Sequence, residues 1–310
     1  VSLFEWADGL YQETVPLIGA GRYEEAIEPC RRAVDAHRLL DAENPGEYLL
    51  DLAIVLNNLS LVLIKTGRPG EAIELLREEL AVRRRLGASQ DDEVARVLSV
   101  LGPMLATGGD LEEGVRAVEE AVAVRRRLLR DDPAAAGGLA ASLTDLARVL
   151  ALRGLQEEAH ASVAEGLHLL RTSTSADYRD ERLATALLLS GTLLARLDRL
   201  TEALPQLYEA SELFGGMVET APQEAAMCFH NFALAAIRLN RPELAPPALI
   251  GALLVYGNYG PADEAQSCAD DLKQLYLMVP RAVTDAWKEA TGERKVPAWV
   301  SGGRFRWRRG

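Results

Sequence analysis

Leu56-Asn57-Asn58-Leu59-Ser60, followed by Gly67-Arg68-Pro69-Gly70-Glu71-Ala72-Ile73, is the stretch from which the fold is read. Two small residues, Ser60 and Ala72, stand twelve positions apart across a Gly-Arg turn. Gly21-Arg22-Tyr23-Glu24-Glu25-Ala26-Ile27 repeats the turn segment, and weaker copies begin at Gly109, Gly154, Asp198 and Asn240. The small pairs are Thr14 and Ala26, Ser60 and Ala72, Gly102 and Gly114, Ala147 and Ala159, Gly191 and Ala203, and Ala233 and Ala245. Successive pairs are offset by 46, 42, 45, 44 and 42 residues. Antiparallel helices joined by a short turn approach closely only where the crossing side chains are small, which requires one such residue on each helix.

The positions around each pair follow the helical period. Seven residues after the second small residue comes another: Ala33, Ala121, Gly166, Ala210 and Ala252, with Glu79 as the exception. Between them lie Cys30, Leu76, Val118, Val163, Leu207 and Leu249, a spacing of four and three that marks one helix face. The first helices place Leu10, Leu56, Leu98, Leu143, Leu187 and Phe229 in the same way. Hydrophobic residues make up 48% of the 310, enough for a packed core, and aromatics only 5%. Strand-like β-branched runs are nearly absent, so the chain is read as all-α.

This pattern resembles the tetratricopeptide repeat, in the long-repeat variety of kinesin light chains and of regulators from GC-rich bacteria. Leu56 to Ser60, Gly67-Arg68 and Glu71-Ala72 carry the resemblance, as do the paired Ala81-Val82-Arg83-Arg84-Arg85-Leu86 and Ala123-Val124-Arg125-Arg126-Arg127-Leu128. It covers roughly residues 5–256 and implies a right-handed superhelical solenoid of about six helix pairs. A capping helix is expected from about Pro261 to Met278 and a short helix near 281–291, after the turn-rich Tyr256-Gly257-Asn258-Tyr259-Gly260-Pro261. Residues 1–280 are read as one repeat domain with its cap and 281–310 as a basic, Trp-containing tail. The stretch Thr172 to Asp177 reads as a connector between hairpins. Pro16 and Pro103 fall inside first helices, where an interior proline costs about 3 kcal/mol unless the helix distorts.

Net charge is −12, divided into −17 for residues 1–280 and +5 for 281–310. The body should repel nucleic acid and anionic membrane, and the tail attract them. Three widely spaced cysteines, Cys30, Cys228 and Cys268, suggest reduced thiols in the cytoplasm. No apolar run of membrane-spanning length and no signal peptide are read. The opening Val1 suggests a fragment or an alternative start codon.

The chemistry-bearing motifs are sparse. No phosphate-binding Gly loop, paired-Cys zinc pattern or helical zinc-protease motif is found, so neither catalysis, metal nor cofactor is expected. His37, His160, His168 and His230 are scattered and read as structural or solvated. Glu24-Glu25 and Asp91-Asp92 stand at helix starts, where they favour the macrodipole. The two Arg triplets read as solvated helix faces offering ion pairs to Glu79 and Glu119-Glu120. Asn58-Leu59-Ser60 matches a glycosylation sequon but falls within a packed helix.

The resemblance implies a concave groove lined by the first helices. Carried over by register, it would present Tyr11, Gln12, Asn57, Asn58, Lys65, Ser99, Thr144, Asp145, Arg148, Arg196, His230, Asn231 and Arg238. Asn amides can satisfy an extended peptide backbone, and the four cations would favour acidic groups in a ligand. Arg304-Phe305-Arg306-Trp307-Arg308 would separate aromatics from cations if extended, giving a contact strip for the acidic body. The expected function is a protein- or peptide-binding scaffold or adaptor. The alternatives are the sensor half of a larger bacterial regulator, or a nucleic-acid or membrane accessory protein acting through the tail. Self-association into a homo-oligomer is left open.

Overall fold

The computed structural model describes residues 2–173 and 179–301. The described residues form α-helices, three short 3-10 turns and no strands. The chain divides into two compact units, Val1–Gly154 and Leu155–Gly310. The first holds α1 (Leu3–Gly19), α2 (Tyr23–Glu43), α3 (Leu49–Lys65), α4 (Pro69–Leu86), α5 (Asp91–Thr107), α6 (Leu111–Asp131) and α7 (Ala136–Leu152). The second holds α8 (Gln156–Thr172), α9 (Arg179–Arg196), α10 (Leu200–Gly215), α11 (Pro222–Arg238), α12 (Ala245–Tyr259), α13 (Ala262–Met278) and α14 (Pro280–Thr291). The connector residues Thr174, Ser175, Ala176 and Asp177 lie outside the described residues, and Thr172 closes α8.

Within the first unit α1 packs on α2, α3 on α4 and α5 on α6 as hairpins, and α2, α4 and α6 each pack on the helix that follows. The second unit pairs α9 with α10, α11 with α12 and α13 with α14, while α8, α10 and α12 pack on their successors. The turns share one device. Gly21, Gly67 and Gly109 have φ of +69°, +72° and +104°. The next residue's N–H reaches back five positions, as Arg22 to the Leu17 carbonyl (2.9 Å) and Arg68 to that of Leu63 (2.8 Å). That left-handed residue and long back-bond form a Schellman stop. Asp198 and Asn240 hold the same turn with φ of 59°; Asp and Asn are the non-glycine residues that best tolerate it.

The small pairs mark helix crossings. A Cβ added at Gly102 would lie 2.8 Å from the Gly114 carbonyl oxygen and 2.2 Å from Val118 Cγ2, and one at Gly114 would lie 2.6 Å from the Gly102 oxygen. A Cβ at Gly191 would meet Leu207 Cγ at 2.6 Å. Thr14, Ala26, Ser60, Ala72, Ala203, Ala233 and Ala245 are buried. Cys30, Leu76 and Val118 in the first unit, and Val163, Leu207 and Leu249 in the second, are buried as their spacing requires. Both α1 and α5 run on past Pro16 and Pro103, so neither proline breaks its helix.

Two expectations need correction. The Arg triplets are not simply solvated: Arg83 and Arg125 are buried and only their neighbours are exposed. Arg83 Nε donates to Glu79 Oε1 (2.8 Å), which also accepts from Arg96 of α5 (2.8 Å). Glu79, the exception to the small-residue pattern, is thereby the fully buried centre of an ion cluster between hairpins. Burial raises its carboxyl's pKa, against the opposing pull of Arg83 and Arg96. Arg125 donates to the Gly138 carbonyl (2.6 Å) and to Ser142 Oγ (3.0 Å) of α7. Second, Pro133–Leu152 is long and apolar enough to cross a membrane by length and composition. Half of that stretch is buried, and its helix packs on α5 and α6. The end of the second unit carries the expected capping helix and short helix, α13 and α14, and both pack on α12.

Candidate functional site

The first helices provide the candidate face. In the first unit α5 packs directly on α7, and in the second α9 packs on α11. The second helices are joined instead by long side chains: Arg38 to Glu78 (2.6 Å) between α2 and α4, Arg77 to Glu113 (2.7 Å) and Arg84 to Glu120 (2.6 Å) between α4 and α6, and Arg171 to Glu209 (2.6 Å) between α8 and α10. Pairs so exposed contribute little each, typically about 0–1 kcal/mol, but they span the wider side of each stack.

In the first unit the helical period of α3 places Asn58 one turn after Ile54 and two after Asp51. Asn57 and Asn58 are half-buried, and their amides make no hydrogen bond among the described residues. Lys65, at the end of α3, is exposed and has no ion pair among them. Between α1 and α3 lies a small cleft of about 60 Å³, bordered by Phe4, Asp8, Tyr11, His37, Asp51 and Ile54. Tyr11 is half-buried; Gln12 is exposed and reaches Asp8 at 3.5 Å. His37 Nδ1 lies 2.8 Å from the Ala33 carbonyl, so that nitrogen donates. Asp8, Asp51 and Ile54 were not read from the sequence, although the seven- and four-residue steps from Asn58 back to Asp51 and Ile54 carry the signal.

Further along the first unit, the side chains bond to one another. Ser99 of α5 is buried against Ser142 Oγ (2.8 Å), and Thr144 donates to the Ala140 carbonyl (2.9 Å). Asp145 pairs with the exposed Arg148 at 3.4 Å. Burial nevertheless pushes its carboxyl up to about 6, against the pull of Arg148 and Arg125.

In the second unit Arg196 of α9 is exposed and has no ion pair among the described residues. On α11, Asn231 donates to Thr192 Oγ1 (3.0 Å) and His230 Nε2 meets Asp271 Oδ2 of α13 (2.7 Å). Arg238 donates to the Ala195 carbonyl (2.9 Å) and to Asp198 (3.0 Å). The structure therefore separates the expected face residues into two groups. Gln12, Ser99, Thr144, Asp145, Arg148, His230, Asn231 and Arg238 are engaged internally; Tyr11, Asn57, Asn58, Lys65 and Arg196 have no side-chain partner among the described residues. The tail residues Arg304, Phe305, Arg306, Trp307 and Arg308 lie outside the described residues.

Among the described residues no three His, Cys, Asp or Glu side chains gather as a metal site would require. Burial pushes the Cys30 thiol up to about 11 and the Cys228 and Cys268 thiols to about 12, which leaves all three as poor nucleophiles.

Residues 51–127 match the family model of the tetratricopeptide repeat. No curated protein sequence matches the chain. Among solved structures, BtubC (BKLC) from P. vanneervenii is 18% identical, with 84% of this chain and 92% of that one covered and a TM-score of 0.56. The nearly identical TPR-like repeats of a Podosopora anserina chain described as a kinesin light chain are 19% identical, covering 69% and 97%, with a TM-score of 0.52. NprR in complex with its cognate peptide NprX is 14% identical, covering 98% and 85%, with a TM-score of 0.56. Residues 51–127 thus carry the tetratricopeptide signature, and the fold of the helix pairs is shared with kinesin-light-chain-like repeats.

Proposed function

We propose that this repeat chain is a scaffold that binds a protein or peptide segment along the faces of its first helices. The observation that carries the reading is the pair of half-buried amides of Asn57 and Asn58, unbonded among the described residues, with Asn58 one helical turn beyond Ile54 of the cleft between α1 and α3. Amides with no partner in the chain can exchange water for an incoming backbone, with a modest net gain for each hydrogen bond. Asp8 and Asp51 at the cleft favour a basic group of the ligand there, and Lys65 favours an acidic group at the far end of α3. NprR, which has the same fold, forms a complex with a peptide, and this supports peptide as the ligand class.

The test starts from peptides selected on the full chain from a random display library and measured by calorimetry. Asn57→Ala with Asn58→Ala should weaken binding about tenfold or more, the loss expected for a true anchor, with an unchanged melting curve. Arg148→Ala and Arg238→Ala should have smaller effects, since both side chains are already held. A library that enriches no peptide, or affinities indifferent to the double Asn variant, would remove this face as the binding surface.

A further inference from the structure

The ion-pair ladder between second helices stops in the second unit after α10. α12 holds no charged residue, and between α10 and α12 there is instead an apolar groove of about 800 Å³. Phe229 and Phe232 of α11 line it, with Tyr208 of α10 and with Leu244 and Pro247 at the start of α12. Phe229 occupies the position where the other first helices bury a leucine, yet it is only half-buried. Gly251 keeps the space over it clear: a Cβ there would stand 3.4 Å from the Phe229 ring. Tyr208 is 53% exposed and leans on Phe232 at a centroid distance of 5.8 Å. Glu212 borders the groove and has no ion pair among the described residues.

Residues 302–310 have complementary chemistry. α14 packs on α12, the helix that forms one wall of the groove. Trp287 of α14 holds Trp299 edge-on at 6.2 Å, and Val300 is buried, so the chain is anchored at this end of the unit up to Ser301. Gly302-Gly303 follow, then Arg304-Phe305-Arg306-Trp307-Arg308-Arg309 without an acidic residue. Nine extended residues reach about 30 Å, enough to cross one helix about 10 Å wide. In an extended segment, alternation would put Phe305 and Trp307 on one side and Arg304, Arg306 and Arg308 on the other. Aromatic rings suit an aromatic-lined groove, and guanidinium groups suit a free carboxylate at its rim.

We propose that the groove between α10 and α12 is the docking site for this chain's own residues 304–308, with Phe305 and Trp307 against Phe229, Phe232 and Tyr208 and the neighbouring arginines facing Glu212. The test is fluorine NMR of the full chain labelled with 5-fluorotryptophan, with Trp307→Phe to assign the fourth resonance. Docking shifts the Trp307 resonance away from its position in a synthetic peptide of residues 302–310. Tyr208→Arg, at an already exposed position, and Ala248→Arg, which fills the groove, should each return it to the free-peptide position. The Trp287 and Trp299 resonances should not move, which shows that the unit is still folded. The shift should also be the same over a hundredfold dilution. A parent resonance at the free-peptide position overturns the proposal, as does a shifted one that both groove variants leave in place. A shift lost on dilution also overturns it, and assigns the groove to a second copy of the chain.

Discussion

Gly102→Ala sets two effects of known size against each other. Alanine in a helix interior is favoured over glycine by about 1 kcal/mol, so on propensity alone the variant gains stability. At Gly102, however, the new Cβ would stand 2.8 Å from the Gly114 carbonyl oxygen and 2.2 Å from Val118 Cγ2. The Val118 methyl can turn away only within a fully buried site, and the carbonyl belongs to the backbone of α6, which can yield only by moving the whole helix. Overpacking of this kind costs about 1–3 kcal/mol, and contact with backbone argues for the upper part of that range. The expected net result is a loss of about 1–2 kcal/mol. Gly9→Ala is the control: it lies in α1, nothing stands within 4 Å of its added Cβ, and the propensity gain should appear unopposed. Both positions lie in the first unit, whose single tryptophan, Trp6, reports its unfolding by emission alongside helical circular dichroism. With a slope of about 1–3 kcal/mol per molar urea, the Gly102 variant should unfold roughly 0.5–1 M earlier and the Gly9 variant later than the parent. A Gly102 variant at least as stable as the parent would mean that the twelve-residue spacing does not mark the helix crossing.

Two further outcomes follow from the buried charges. Glu79→Ala restores the small residue found at this position in the other repeats, yet it should destabilise by about 3–5 kcal/mol, because Arg83 keeps its burial and loses its closest carboxylate; adding Arg83→Leu should recover much of the loss in a urea titration. Asp145 has a folded pKa near 6, above its unfolded value near 4, so its contribution is full below about pH 4 and is lost as pH rises to about 6, up to about 3 kcal/mol in all. Asp145→Asn should flatten that part of the stability–pH curve and raise stability at pH 7, and an unchanged slope between pH 4 and 6 would show that the carboxyl is not the source.

The repeat was legible because its signal is local and recurs. A left-handed turn residue and two small crossing residues lie within one hairpin, so six copies reinforce a single reading, even where Asp198 and Asn240 replace glycine. The Arg triplets could have been read further. Three consecutive helical residues point about 100° apart and span about 200° of the helix, so one end of each triplet can turn toward the buried face. Its partner is less visible, because Glu93 or Ser142 reaches Arg83 or Arg125 only after the next helix has packed. Glu79 stood out as an exception, and only the position of Arg96, seventeen residues later, shows how a carboxylate survives there. On the candidate face, register assigned each residue to a helix and a turn and could not tell open side chains from engaged ones. Whether Asn231 is free depends on Thr192, thirty-nine residues earlier, and no pattern in the sequence links the two.

That separation changes what the proposed ligand should look like. By composition, four cations on an acidic body point to an acidic ligand. In the structure Arg148 already meets Asp145 and Arg238 already meets Asp198, so of those four cations Lys65 and Arg196 are the two with no ion pair among the described residues. An exposed ion pair contributes about 0–1 kcal/mol, and less as salt rises. Each amide–backbone hydrogen bond contributes about 0.5–1.5 kcal/mol net. Two adjacent Asn side chains offer several such bonds at once. Under the proposed function, binding energy should therefore come chiefly from the ligand's backbone and from side chains seated beside Tyr11 and Ile54. Charge would set the direction in which the segment lies: a basic group toward Asp8 and Asp51, an acidic group toward Lys65.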